Sequence, residues 1–255
     1  MNEVPLILSL ETATLGGSVW LGRGDIQLSA RMGDPSISQS NTLLRDIDDC
    51  LGEAMLSLDH VDLFACAAGP GSFTGLRIGI STLKALAATL ERPCVGIPTL
   101  AAVAHSAGVS PATLALLPAG RGEVFAQLFS VTKLSQSLIV KALDAPAHLS
   151  PDRLIDRYGT FLNLCWAGSG AELHREKIER AAHERSIAVQ NWTNDESLNK
   201  EISGWQFARE EPNLAGHVAA LAKQAYQQGA MRKPEELQAI YVRPSDAELA
   251  KLHND

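Results

Sequence analysis

Apolar and polar positions along this chain change period several times, and each change marks an element. Leu6 to Leu10 is a continuous apolar run, the pattern of a strand covered on both faces. Ser18-Val19-Trp20-Leu21 and Ile26 to Arg31 flank Gly22-Arg23-Gly24-Asp25, a hairpin signal. The alternation of the second arm puts Ile26, Leu28 and Ala30 on one face. Gly33-Asp34-Pro35-Ser36 breaks the pattern. Leu43, Leu44, Ile47, Leu51, Ala54 and Met55 then recur at helical spacing, with Arg45, Asp46, Asp48 and Asp49 on the wet side. Val61 to Ala67 predicts a short strand. Leu76, Ile80, Leu83, Ala87 and Leu90 predict a long helix, and Val95-Gly96-Ile97 another strand.

The second half reads less regularly. Thr113 to Leu117, Val124 to Val131 and Leu138 to Leu143 predict strands. Leu149 to Tyr158 predicts a short helix with Ser150 as its cap and Pro151 at its first position. Leu164 to Ala167 reads as a strand ending in Gly168, and Asn191 to Asn213 as a polar, exposed loop. A helix runs from Leu214 to about Gln228, where Gly229 stops it. A boundary near Gly108-Val109-Ser110-Pro111 gives domains 1–107 and 108–255, with helix 214–228 a candidate to pack back on the first.

The run Ala68-Gly69-Pro70-Gly71-Ser72-Phe73-Thr74-Gly75-Leu76-Arg77-Ile78-Gly79 joins a strand to a nearly all-apolar helix. A strand–glycine loop–helix unit offers free N–H groups and a positive dipole end to an anion, or lets one backbone press on another. It has no Gly-Lys-Ser/Thr ending, and Gly69, Gly71 and Gly75 miss the dinucleotide-binding spacing. Anion cradle and packing turn both stay open at this point.

Composition narrows the function classes. With 255 residues there is ample length for a large core, and 45% hydrophobic with 20% charged residues is ordinary for a globular protein. A net charge of −7 argues against a generally basic nucleic-acid surface. Cys50, Cys66, Cys94 and Cys165 form no Cys-x-x-Cys pair and read as buried free thiols of a reducing compartment. With no leader and no membrane-length apolar run, a cytoplasmic protein without membrane contact is expected. There is no His-Glu-x-x-His, and neither Ser72 nor Ser169 sits in a Gly-x-Ser-x-Gly elbow. His174 and His183 fall in charged helical sequence, and His105 follows an alanine-rich segment where a partly buried helix position is expected.

The glycine run resembles the signature of the TsaB family, accessory proteins of bacterial tRNA threonylcarbamoyladenosine synthesis. The resemblance begins at Ile7-Leu8-Ser9-Leu10-Glu11-Thr12-Ala13-Thr14 and continues through Leu43 to Asp48, Gly69 to Gly79 and Gly122-Glu123-Val124-Phe125. It resumes at Ala167 to Ala171 and Ile240-Tyr241-Val242-Arg243. It implies an α/β fold of two ribonuclease-H-like lobes, mixed sheets flanked by helices, as in the sugar-kinase/actin/Hsp70 superfamily. It also implies pairing with a TsaD-like transferase, recruitment of a TsaE-like ATPase, contact with tRNA through that complex, and a homodimer when alone. The catalytic TsaD paralogues carry a His-x-x-x-His metal site after the strand that follows their glycine loop; Thr99 and Val103 stand there in this chain. Neither binds a transition metal as imidazole does, so a scaffold without catalytic residues or metal is expected.

Several positions depart from the family pattern. Glu11 stands for an Asp, Gln39 for a His, and Pro118-Ala119-Gly120-Arg121 for an Asp-Ala-Arg-x run, which weakens a nucleotide role. The remaining nucleotide candidates are Glu11, Thr12, Gly168 and Gly170, with ATP or ADP at the partner interface as the ligand. The two helices of the first lobe carry more apolar surface than one sheet face needs. Leu43, Leu44, Ile47, Leu51, Leu76, Ile80 and Leu83 are therefore the candidate partner interface, a four-helix contact; the alternative is that they are all internal core. Competing functions are an ATP-dependent phosphotransferase using Glu11, Thr12 and the Gly168-Ser169-Gly170 turn, and a metallopeptidase, which the missing histidine pair disfavours.

Overall fold

The first strand, β1 (Leu6–Glu11), is buried along its whole length, as its unbroken apolar run requires. It belongs to a computed structural model that describes residues 4–37, 39–191, 203–209 and 211–242. Antiparallel to β1 lies β2 (Ser18–Arg23), in register from Leu6 opposite Arg23 to Glu11 opposite Ser18. The hairpin closes with β3 (Ile26–Met32). The facing of this second arm differs from expectation. Ser29 pairs with Leu21 and Gln27 with Gly22, so Leu28 is an extra residue and the alternation does not survive the bulge. Ile26 is 68% exposed and Leu28 is exposed too, while Ser29 is buried and donates to Glu53 Oε2 at 2.6 Å.

Helix α1 (Gln39–Glu53), strand β4 (Leu63–Gly69), helix α2 (Phe73–Thr89), strand β5 (Cys94–Pro98) and helix α3 (Thr99–Ser106) follow. β4 and β5 add in parallel, giving a sheet of order β3-β2-β1-β4-β5. α1 packs on β2 and β3, and α2 on β4. Ser72 caps α2, its Oγ accepting the Gly75 N–H at 3.2 Å.

A second sheet begins with the meander β6 (Ser110–Gly120), β7 (Glu123–Leu134) and β8 (Ser137–Ala142), with β9 (Ala147–Leu149) also paired to β7. Helix α4 (Pro151–Tyr158) starts as its sequence predicts, with Ser150 Oγ accepting the Arg153 N–H and Pro151 in the first turn. β10 (Leu164–Ala167), α5 (Ser169–Leu173), α6 (Arg175–Glu184), β11 (Val189–Asn191) and β12 (Trp205–Phe207) complete it in the order β11-β12-β10-β6-β7-β8. Part of the expected loop at Asn191–Asn213 is thus corrected. Trp205–Phe207 is a buried strand, with the Trp205 ring tilted against Trp166, centroids 4.9 Å apart. Residues 192–202 and 210 of that loop lie outside the described residues.

Helix α7 (Leu214–Gln227) packs on β1, β2, β4 and β5 of the first sheet. Ser9 donates to the Ala215 carbonyl at 2.6 Å and the Ala215 N–H donates to Ser18 at 3.0 Å. Contacts group the chain into one unit of Met1–Ala102 with Pro212–Asp255 and another of Val103–Glu211. The α/β class, with two mixed sheets flanked by helices, is the one expected. All four cysteines are buried free thiols, and burial pushes Cys66 and Cys165 up to about 12. Among the described residues no helix is long and apolar enough to cross a membrane.

Asp144 ties the second unit together. Its Oδ1 accepts the Leu128 N–H at 2.8 Å, and its Oδ2 accepts Tyr158 Oη at 2.6 Å and Arg157 at 3.0 Å. Asp144→Ala leaves a buried tyrosine hydroxyl and a strand N–H without their acceptor. Urea unfolding should show a loss of about 2–3 kcal/mol.

Candidate functional site

The glycine run folds against the turn that ends β1. There Glu11 is fully buried and bends back on its own backbone. Its Oε1 accepts the N–H groups of Ala13 at 2.6 Å and Thr14 at 2.8 Å, and its Oε2 accepts the Thr14 hydroxyl at 2.6 Å. Burial pushes this carboxyl above the usual carboxylate range, against the downward pull of those hydrogen bonds. The Ser72 N–H donates to the Ala13 carbonyl at 2.8 Å, and the Gly69 N–H to Thr99 Oγ1 at 3.1 Å. A Cβ on Gly71 would lie 2.5 Å from the Ala13 oxygen, and one on Gly79 would collide with Thr12 Oγ1. The glycines are therefore there for close approach, and the cap takes the Gly75 N–H. Beside Glu11 and Thr12 the free volume is about 10 Å³, room for one water.

Gly168 and Gly170 lie in the second unit and have a similar role. Gly168 has φ +89°, and a Cβ there would strike the Leu116 carbonyl; one on Gly170 would lie 2.9 Å from the Leu117 nitrogen. These two glycines let α5 sit directly on β6. The Pro118-Ala119-Gly120-Arg121 departure ends β6 and enters the β6–β7 turn, where Arg121 is exposed with φ +54°. Gln39 opens α1, and its side chain lies outside the described residues.

The two positions where the family resemblance places metal ligands are both committed to packing. Thr99 is fully buried with its hydroxyl on the Gly69 N–H, and Val103 is buried with its Cγ1 2.8 Å from where a Gly168 Cβ would stand. These residues do not fit a transition metal. His105 is a buried position of α3, His183 is exposed in the last turn of α6, and His174 joins α5 to α6. Burial, with a smaller push from Lys177, lowers the His174 pKa against a hydrogen bond to the Gly122 backbone. Among the described residues, no three His, Cys, Asp or Glu side chains come together as a metal site.

The expected apolar interface is corrected by burial. Leu43, Ile47, Leu51, Leu76, Ile80 and Leu83 are all inside the first unit's core, and only Leu44, 66% exposed, faces out. The stripe at three- and four-residue spacing is the face that α1 and α2 turn inward. Among the side chains they expose are Leu44, Arg45, Asp48 and Asp49 on α1, and Thr74, Arg77, Ser81 and Ala85 on α2. One further cluster had no local signal. Tyr241 stacks on Phe73 with ring centroids 5.2 Å apart, and the Arg77 guanidinium lies 3.9 Å from the centre of the Phe73 ring.

Comparison with known proteins adds what this geometry does not state. The family model described as TsaD, tRNA N6-adenosine threonylcarbamoyltransferase, matches residues 36–191. The tRNA threonylcarbamoyladenosine biosynthesis protein TsaB of Escherichia coli is 34% identical over 122 residues, 47% of this chain and 52% of that protein. A tRNA N6-adenosine threonylcarbamoyltransferase of Protochlamydia amoebophila is 44% identical over 64 residues, 25% of this chain and 19% of that protein. The chain thus spans about half, or less, of the length of these curated relatives. The structure of YeaZ from Pseudomonas aeruginosa superposes with a TM-score of 0.71 at 25% identity, covering 93% of this chain and 99% of that one.

Two outcomes follow from the packed loop. Gly79→Val drives a branched side chain into Thr12 and should lower stability by about 2–3 kcal/mol, a fall of roughly 5–10 °C in a thermal melt. Glu11 has a folded-state pKa raised above its ordinary 4.5, so the stability it contributes is full below pH 4.5 and is lost as pH rises through the folded value. Glu11→Gln removes that titration. The drop in unfolding free energy between pH 4.5 and about pH 7 should then be smaller than in the wild type, as measured by urea denaturation at both pH values.

Proposed function

This chain belongs to the TsaD family, the tRNA N6-adenosine threonylcarbamoyltransferases, and is TsaB-like within it; on that premise we propose that it is a non-catalytic subunit of the tRNA threonylcarbamoyladenosine machinery. In this reading it binds and activates a TsaD-like transferase, which modifies the adenosine next to the anticodon in ANN-decoding tRNAs. The observation that carries the reading is the state of Thr99 and Val103. Where the transferase has imidazoles, this chain has one hydroxyl spent on the Gly69 N–H and one aliphatic side chain in a packed core. No step of metal-assisted group transfer is derived for such a site. The burial of Glu11 and the single-water space beside it likewise argue against a phosphotransferase.

The partner surface in this proposal is the outer face of α1 and α2, reduced from the seven apolar positions to the side chains that reach solvent. Its one large exposed apolar side chain is Leu44, and Arg45, Asp48, Arg77, Ser81 and Ala85 are exposed on the same two helices. A TsaD-like subunit or a second copy of this chain would use the same face, so heterodimer and homodimer exclude each other. A TsaE-like ATPase joins the assembled pair, and tRNA is met through the complex, in keeping with a net charge of −7.

The test is reconstitution with the cognate TsaD-like protein, followed by tRNA modification with each subunit omitted in turn. Modification should require both proteins, and this chain alone should give none; transfer by the isolated chain would overturn the proposal. Leu44→Arg should fold normally by circular dichroism and weaken capture of the partner by about tenfold or more, because it places an unpaired charge in a desolvated contact. Leu83→Arg is the contrasting control. Leu83 has no exposure, so that variant should lose the fold itself.

A further inference from the structure

Residues 231–242 run across the first unit as a segment with one 3-10 turn, Pro234–Glu236, and are held at three places. At the first, Cys94 and Arg232 exchange both backbone hydrogen bonds, at 3.2 and 2.9 Å, along the outer edge of β5. At the second, Leu237 is 3% exposed against Gly96, and Lys84 of α2 donates to the carbonyls of Leu237 at 3.2 Å and Glu235 at 3.5 Å. At the third, the Ile240 N–H donates to the Ala68 carbonyl at 2.7 Å and Tyr241 stacks on Phe73.

Two glycines of the first unit are shaped to this segment. A Cβ on Gly69, where φ is +115°, would collide with the Ile240 carbonyl. A Cβ on Gly96 would lie 2.6 Å from Leu237 Cδ1. The beginning of the segment, by contrast, is poorly packed. A groove of about 670 Å³ opens there, lined by Ala87, Ala88, Arg92, Met231, Lys233 and Glu236. A segment held by three backbone hydrogen bonds, the Lys84 ammonium and a single fully buried apolar side chain, beside an open groove, is the kind of element that opens locally before a sheet does.

The last anchor lands on Ala68 and Gly69, the last two residues of β4 where the glycine run begins, and on Phe73, the first residue of α2. We propose that residues 231–242 are a latch on the glycine loop: closed, the segment fixes the loop and the first turn of α2, and its release frees that loop and the β5 edge together while the sheet stays folded. The latch is a property of the isolated chain and does not depend on the partner reading above.

Amide hydrogen exchange on the full-length chain tests it with Leu237→Ala, which empties the middle anchor, and Tyr241→Ala, which removes only a half-exposed ring from the last one. In both variants the amides of Ile240, Gly69 and Ser72 should exchange faster together, by about tenfold or more, while those of Leu8 and Leu10 in β1 keep wild-type rates. Faster exchange at Ile240 with Gly69 and Ser72 unchanged in Tyr241→Ala would overturn the proposal, since the segment would then be a fraying end that holds nothing. Equal acceleration at Leu8, Leu10 and Ser72 in that variant would overturn it too, because release would then be global unfolding. Should Leu237→Ala fail to fold, the Tyr241→Ala result decides alone.

Discussion

The first unit depends on one steric constraint: the backbone after β4 must lie in contact with the turn after β1, with no Cβ between them. Gly71 against Ala13 and Gly79 against Thr12 meet that requirement, and the Ser72 N–H bond to the Ala13 carbonyl fixes the distance. Once these two chain segments touch, α2 has to leave the sheet over β4, where Leu76, Ile80 and Leu83 enter the core. Glu11 secures the opposite side of the contact by satisfying two N–H groups and a hydroxyl of its own turn. Its burial costs enough to raise the carboxyl's pKa even with three donors on it, so the turn is held at an electrostatic cost.

A glycine loop between a strand and a helix can serve an anion only if its N–H groups point to free space. Here the Gly69, Ser72 and Gly75 N–H groups are all engaged by protein atoms. Three of the loop's N–H groups are thus spent inside the fold, and Gly71 and Gly79 serve close packing. The same holds at α3, where the Thr99 hydroxyl accepts the Gly69 N–H and Val103 is buried. In this TsaB-like member the Gly71 and Gly79 contacts and the Thr99 hydroxyl are all committed inside the fold.

The chemistry of the second unit is likewise internal. Asp144 gathers a strand N–H, a tyrosine hydroxyl and a guanidinium at α4, and Gly168 and Gly170 let α5 lie on β6. Both units use glycines and a hydrogen-bonded carboxylate, Glu11 in the first and Asp144 in the second, to bring elements close together.

Periodicity and caps in the sequence alone determined β1, the hairpin, the strand–glycine loop–helix unit, the Ser150 and Pro151 start of α4, and the Gly229 stop of α7, because each depends on neighbours a few residues away. The signature that carries the family is also local, a continuous run from Gly69 to Gly79. Tertiary structure decided which face is which. Leu43 and Leu83 read equally well as core or interface, since helical spacing shows that a stripe exists and not what covers it. Ile26 and Leu28 turned outward because a bulge added one residue, which no alternation can register. Trp205–Phe207 became a strand because β10 and β11 lie on either side of it, although its own sequence is short and surrounded by polar residues. The contacts of Tyr241 with Phe73 and of Ile240 with Gly69 join residues far apart in the chain, so only folding, which brings them within a few ångströms, could decide them.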